Sequence, residues 1–217
     1  MTIAPSLELA SLIEGYRRFR DTGWVPRRER WAALRDGQEP RVMIIACSDS
    51  RVDPAQIFDA APGEIFVVRN IAAMVPPFET TPGRHGVSAA LEFAVQVLKV
   101  REIVIMGHGM CGGCKAALTQ ELRGAEPGKG GFIADWIALL DEARDPIARE
   151  YGTTGRTAER EMEHAAVKVS LENLRTFPCV SQLEAQGKLR LRGAFFAISE
   201  GVLHLLDEDT GEFVSTS

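Results

Sequence analysis

Nowhere in these 217 residues do about 20 apolar residues run together, the length a membrane-spanning helix needs. The opening stretch, MTIAPSLELA, carries neither the charged segment nor the apolar run of a secretory signal. A basic excess is also missing: 25 Lys and Arg stand against 30 Asp and Glu, a net charge of −5, which argues against a nucleic-acid partner. There are only four cysteines, Cys47, Cys111, Cys114 and Cys179. In a cytoplasmic chain, which these absences lead us to expect, they are buried hydrophobes, metal ligands or catalytic thiols rather than disulfides. No internal repeat or low-complexity segment occurs. The pairing of low hydrophobicity with high net charge that marks disorder is absent too, since 45% of residues are hydrophobic and 25% charged. What remains is a globular chain, long enough to bury a core without staples.

The apolar residues are patterned. Leu7, Leu9, Leu12, Ile13, Tyr16 and Phe19 recur at helical spacing over residues 6–20, and a turn at Gly23 and Pro26 leads into a short helix over 27–36. Residues 1–36 therefore read as a helical arm. Its arginines (Arg17, Arg18, Arg20, Arg27, Arg28, Arg30) interleave with Phe19, Trp24 and Trp31, a mix that nucleic-acid binders also use. With an acidic chain behind it, the arm fits better as an amphipathic element whose apolar side packs on a partner subunit.

From residue 37 onward one α/β domain is expected. The runs 41–46, 64–69 and 102–107 are short, apolar and rich in β-branched residues, as strands covered on both faces of a parallel sheet are. Residues 85–100 carry a helical pattern between the second and third runs, making a right-handed strand–helix–strand crossover. Helices follow over 112–122, 132–150 and 156–175, with a loop at 124–131 and a short helix after Pro178. Residues 188–198 and 202–209 read as a hairpin. The sum is a mostly parallel sheet of four to five strands flanked by helices.

Two clusters follow directly on strands: Cys47-Ser48-Asp49-Ser50-Arg51 after the first run, and His108-Gly109-Met110-Cys111 after the third. Ligands of open α/β sheets sit beyond the carboxyl ends of strands, so neighbouring strands would bring two thiolates and an imidazole together, a set suited to zinc. Asp49 could complete a closed tetrahedral site, which is the structural-zinc reading. Arg51, two residues on, could instead hold that carboxylate in a bidentate pair and leave the fourth position to water, which zinc acidifies. The same five residues encode a site that can be open or closed. Cys111 and Cys114 also form a C-x-x-C redox pattern, but that leaves Cys47, Asp49 and His108 without a role. Gly107-His108-Gly109-Met110-Cys111-Gly112 matches G-x-G-x-x-G, yet the following helix leads into a loop, not to a second strand ending in an acid. Cys114 and Cys179 read as packing residues.

Cys-Ser-Asp-Ser-Arg followed by His-x-x-Cys on the next α/β unit resembles the β-class carbonic anhydrases, from about residue 38 to about 206, with residues 62–77 and 85–113 as further support. The resemblance implies a zinc lyase, a carbonate dehydratase, that interconverts carbon dioxide and bicarbonate by attack of zinc-bound hydroxide. It implies a homodimer or a multiple of dimers, with active sites at the interface. By that likeness Cys47, His108 and Cys111 are the zinc ligands, and Asp49 is either a fourth ligand or, with Arg51, the catalytic dyad that opens the site. Gln38, Phe66, Ile71 and Gly112 border the substrate, and Phe66 does so across the interface. The pattern is that of the plant-type subgroup. Ile44 and Ala46 stand where a regulatory bicarbonate site would need tryptophan and glycine. Phe93 and Val97 stand where plant-type members place a tyrosine and a histidine, so the usual proton route is absent and His85 is the remaining candidate by proximity. Related zinc enzymes act on carbon disulfide or carbonyl sulfide, and a non-catalytic bicarbonate-binding module is an alternative of another class. The Asp49–Arg51 pair and Gln38 speak against such a module.

Overall fold

The computed structural model describes residues 6–216; residues 1–5, part of the expected arm, and Ser217 lie outside them. The chain divides into two compact units, one ending at Gln38 and the other beginning at Glu39.

In the first unit, Ser6 caps helix α1 (Leu7–Phe19) by accepting the amide hydrogen of Leu9 at 3.3 Å. The expected turn at Gly23 is instead a π-helical stretch, Arg20–Trp24, and a 3₁₀ turn carries the chain into α2 (Arg28–Ala33). Gly23 leaves room for the Phe19 ring here, since a Cβ there would meet it at 2.8 Å. The wide turn also brings Phe19 edge-on to Trp31, with ring centroids 6.2 Å apart. Leu7, Leu9, Leu12, Tyr16 and Phe19 are all exposed.

The second unit is built on its sheet. Strand β1 (Val42–Cys47) leads through the short helix α3 (Pro54–Ile57) to β2 (Ile65–Asn70), and α4 (Gly86–Glu92) leads to β3 (Glu102–His108). Then come α5 (Gly112–Thr119), α6 (Gly131–Ile137), α7 (Asp141–Tyr151), α8 (Arg156–Arg175) and α9 (Pro178–Ala185). Strands β4 (Arg190–Ala197), β5 (Val202–Asp207) and β6 (Glu212–Ser215) finish the chain. The sheet order is β2-β1-β3-β4-β5-β6, parallel through β4 and antiparallel beyond it. A sixth strand therefore joins the four or five expected. β6 is four residues long, mostly exposed, and too short to show an alternating pattern. The expected helix over 132–150 is divided by a 3₁₀ turn at Ala138–Leu140, and the one over 112–122 stops at Thr119, where Gln120 turns left-handed at φ 54°.

The continuous apolar runs arise because the inner strands are buried on both faces. Ile44, Ala46 and Met106 point into one cluster with Cys47, Cys111, Cys114, Leu118 and Met162. Met43, Ile45, Ile103 and Ile105 point the other way, against Leu91, Val95, Leu171 and Val180. Helix α8 lies across β3, and it comes close at Gly107, where a Cβ would meet Val167 Cγ2 at 2.6 Å. That glycine serves helix packing, which removes the dinucleotide reading of the glycine pattern. No described helix is long and apolar enough to cross a membrane.

Candidate metal centre and active site

After β1 the chain moves outward to β2, then returns across β1 to β3 and continues the other way to β4. The boundary between β1 and β3 is thus the switch point of the sheet, where carboxyl-end loops diverge and leave a crevice. Cys47 ends β1 and His108 ends β3, so both expected clusters open into this crevice. The ligand atoms of Cys47, His108 and Cys111 lie within 4.8 Å of one another, and all three residues are buried. The third comes from the N-cap of α5, one tight turn after His108, with Met110 in the left-handed region at φ 58°.

The donor set fits a zinc ion. His108 Nδ1 lies 3.0 Å from the carbonyl oxygen of Gly109. A carbonyl only accepts, so Nδ1 carries the proton and Nε2 presents a lone pair. That Nε2 is buried without a hydrogen-bond partner, a costly state unless a cation meets it. Without a cation, the shared hydrogen bond with Cys111 and burial push the Cys47 thiol up to about 12. The hydrogen bond with Cys114 does most to push Cys111 up to about 12. At His108 burial opposes the charged form, and the neighbouring Cys47 overrides it, so its pKa rises. A bound dication inverts this electrostatic balance by stabilising thiolates and neutral imidazole.

Asp49 is turned away from this set. Arg51 donates from Nε to Oδ1 at 2.9 Å, from Nη2 to Oδ2 at 2.6 Å, and from its own amide to Oδ1 at 2.9 Å. This bidentate grip holds the Asp49 carboxyl well below the usual carboxylate range. Arg51 Nη2 also donates to the Met110 carbonyl at 3.0 Å, which ties the dyad to the His108–Cys111 loop.

Several supporting residues were not legible as such in the sequence. Arg69, near the end of β2, donates to the Cys47 carbonyl (2.9 Å), the Asp49 carbonyl (2.6 Å) and the Asp53 carboxylate (3.0 Å), and so shapes the Cys47–Asp53 turn. Asn70 bridges the amide and carbonyl of Met74, both at 2.8 Å, around Ala72 and Ala73, which have φ 61° and 56°. Gly113 lets this loop approach α5, since a Cβ there would meet Ile71 Cγ2 at 2.7 Å. Glu163 of α8 accepts the Cys111 amide hydrogen at 3.1 Å. The signal for Arg69 was its charge at the end of an apolar run.

The other expected site residues are placed as follows. Ile71 is half-exposed beside Ser48, Asn70, Phe132, Ile133 and Trp136 in an apolar cleft, and its carbonyl accepts the Trp136 indole hydrogen at 2.9 Å. Gly112 starts α5, and a Cβ there would meet no atom within 4 Å. Phe66 pairs with Met43 on the opposite strand, four residues below Cys47, or roughly 13 Å along the strand. Its ring packs tilted against Phe93, with centroids 5.9 Å apart, and its place in the strand keeps it away from the thiols within one chain. Gln38 is exposed and belongs to the first unit. His85 is engaged by its own loop, with Nε2 2.9 Å from the Thr81 carbonyl and Nδ1 3.5 Å from Glu79. Cys114 is buried in the core, and Cys179 packs partly buried on the second cluster.

Residues 42–203 match the family model described as carbonic anhydrase. A carbonic anhydrase of Pseudomonas aeruginosa is 35% identical over 208 residues, 95% of this chain and 91% of that protein. Beta carbonic anhydrase 3 of Arabidopsis thaliana is 35% identical over 90% of this chain and 75% of that one. The solved structure of the β-carbonic anhydrase CcaA superposes with a TM-score of 0.88 at 31% identity, covering 96% of this chain and 99% of that one. The chain belongs to the carbonic anhydrase family, in its β class. It is an enzyme, and its reaction is the reversible hydration of carbon dioxide to bicarbonate and a proton.

Proposed function

We propose that Cys47, His108 and Cys111 hold the catalytic zinc, and that Asp49 and Arg51 form the dyad that keeps the site open. The observation that carries this reading is the partnerless, buried Nε2 of His108 facing two thiols, while Asp49 is taken up by Arg51. Zinc, when bound, supplies Lewis acidity that brings the pKa of water toward neutrality. The chain's own groups then do the orienting. An anionic carboxylate only accepts hydrogen bonds, so a water beside the ligand set would donate a hydrogen bond to Asp49 and turn a lone pair toward carbon dioxide. Ile71 and the open side of Gly112 border an uncharged substrate, and Gln38 serves as donor to the oxygen that gains charge.

Phe66 completes the apolar wall of the neighbouring subunit's site, which makes the working unit a homodimer or a multiple of one. In this reading the arm, residues 1–36, covers its exposed apolar stripe on that partner, and residues 37–217 form the enzyme domain. Gln38 supports the plant-type subgroup in this reading. The free thiols fit a reducing cytoplasm.

Stopped-flow hydration of carbon dioxide between about pH 6.5 and 9, with zinc quantified on the same sample, tests the assignment. About one zinc per chain and activity proportional to zinc are expected. Activity without zinc would end the reading. Light scattering of the same sample should give a dimer or larger, and a fully active monomer would remove the interface part.

A further inference from the structure

We infer that Glu163 is a positioning residue, which fixes the Met110–Cys111 peptide from α8 and thereby holds both a metal ligand and the Arg51 that carries Asp49. This rests on the reading of Cys111 as ligand and of Asp49–Arg51 as gate.

The Met110 carbonyl and the Cys111 amide belong to one planar peptide unit, whose C=O and N–H point in opposite directions. Arg51 Nη2 donates to that carbonyl at 3.0 Å, and Glu163 Oε1 accepts that N–H at 3.1 Å. A single amide is therefore gripped at both ends by opposite charges, each placed to match its dipole. Rotating the unit breaks both contacts at once. Something must hold it, because Met110 sits at φ 58°, a region that costs a residue with a Cβ about 1 kcal/mol or more.

Glu163 itself is not explained by stability. It is 2% exposed in the middle of a helix whose neighbours on that face, Met162, Ala166 and Val167, are apolar and buried. Burying a carboxylate is unfavourable unless it is bonded and paired. Yet its Oε2 has no hydrogen-bond partner, and the nearest cations stand off, Arg160 Nε at 3.7 Å and Arg156 Nη1 at 3.9 Å. Arg156 is drawn to Glu159 at 2.7 Å, and Arg160 lies over the Phe195 ring at 4.8 Å. The close bond of this carboxylate is the one it makes to the loop carrying Cys111.

The test compares zinc-loaded wild type with Glu163→Leu, Glu163→Gln and Arg51→Ala. Three quantities are read: hydration per bound zinc from about pH 6.5 to 9, the rate of zinc transfer to a chromogenic chelator, and Tm. Glu163→Leu leaves the Cys111 amide unpaired and the peptide free to turn. Its zinc transfer should be about 10-fold faster and its hydration at pH 7 about 10-fold slower, the scale of lost outer contacts at metal sites. Glu163→Gln keeps an acceptor oxygen and should bring both values within about threefold of wild type. If Glu163→Leu lowers Tm alone, or if Glu163→Gln is no better than Glu163→Leu, the inference is overturned. Should Glu163→Leu not fold, Glu163→Asp carries the test. It keeps the charge near Arg156 and Arg160 but withdraws the oxygen by about 1.5 Å, one bond length. Its zinc transfer should be at least about threefold faster, and wild-type values would overturn the inference. Arg51→Ala separates the two ideas. If it is fully active, the gate reading fails; if it is inactive while Glu163→Leu behaves as wild type, only the role of Glu163 fails.

Discussion

Arg51→Ala is expected to keep its zinc and to lose at least about 100-fold in carbon dioxide hydration, the scale of removing an oriented polar group from an active site. Arg51 is not among the clustered donors, so metal content should match wild type. What disappears is the three-point hold on Asp49, at 2.9, 2.6 and 2.9 Å. A carboxylate left beside a dication without its guanidinium has one strong partner to turn to, the metal, and a fourth protein ligand closes the site to water. The Met110 carbonyl also loses its donor. The pair lies near the surface, with side-chain exposures of 19% for Asp49 and 44% for Arg51, but its bidentate geometry sets it apart from most surface ion pairs. Because Arg51 holds the Asp49 carboxyl far below its ordinary range, Asp49 stays anionic throughout the assay range. It would take up a proton only as pH falls through that depressed value. A rise of activity between about pH 6.5 and 9 therefore belongs to the coupled metal site and not to ionisation of Asp49. Wild-type hydration by zinc-loaded Arg51→Ala at pH 8.5 would make the arginine an ordinary ion-pair partner.

His108→Ala and Cys47→Ser are each expected to weaken zinc binding by about 100-fold or more and to be purified largely metal-free. Structural zinc sites with four ligands bind with about 10–16 kcal/mol, so one ligand's share is roughly 3 kcal/mol, near two decades in affinity. Losing His108 removes the one donor whose partnerless, buried nitrogen has no other use in the fold. Cys114→Ser should keep its zinc, since Cys114 lies in the core one helical turn beyond Cys111. Elemental analysis of the three variants decides: full zinc in His108→Ala and Cys47→Ser would break the ligand assignment, and loss in Cys114→Ser would restore the C-x-x-C reading.

Glu163 marks where reading from sequence stops. Helix α8 carries Glu159, Glu161 and Glu163 within five residues, and along the chain they look like one solvated face. Only the position of Glu163 relative to Ala166 and Val167, three and four residues on, places it on the buried stripe. That signal was present, but nothing local says which amide the carboxylate would meet 52 residues earlier. Phe66 poses a different difficulty. Its place in β2 was clear, but the substrate-wall role proposed for it requires a second copy of the chain.

Local pattern by itself determined the inner strands β1 and β3, because burial on both faces demands continuous apolar runs, and it determined the two candidate clusters, because each follows directly on a strand. It also determined Asp49 with Arg51, since two residues apart on an extended turn the side chains point to one side. The tertiary structure decided what depends on elements far apart in the chain. The order β2-β1-β3 put Cys47 and His108 into one crevice. Arg69 shaped the turn that carries Asp49. Helix α8, lying close on Gly107, brought Glu163 to the Met110–Cys111 peptide. Hydrogen bonds of this kind are set by distance and direction across the packed sheet, and spacing along the chain encodes neither.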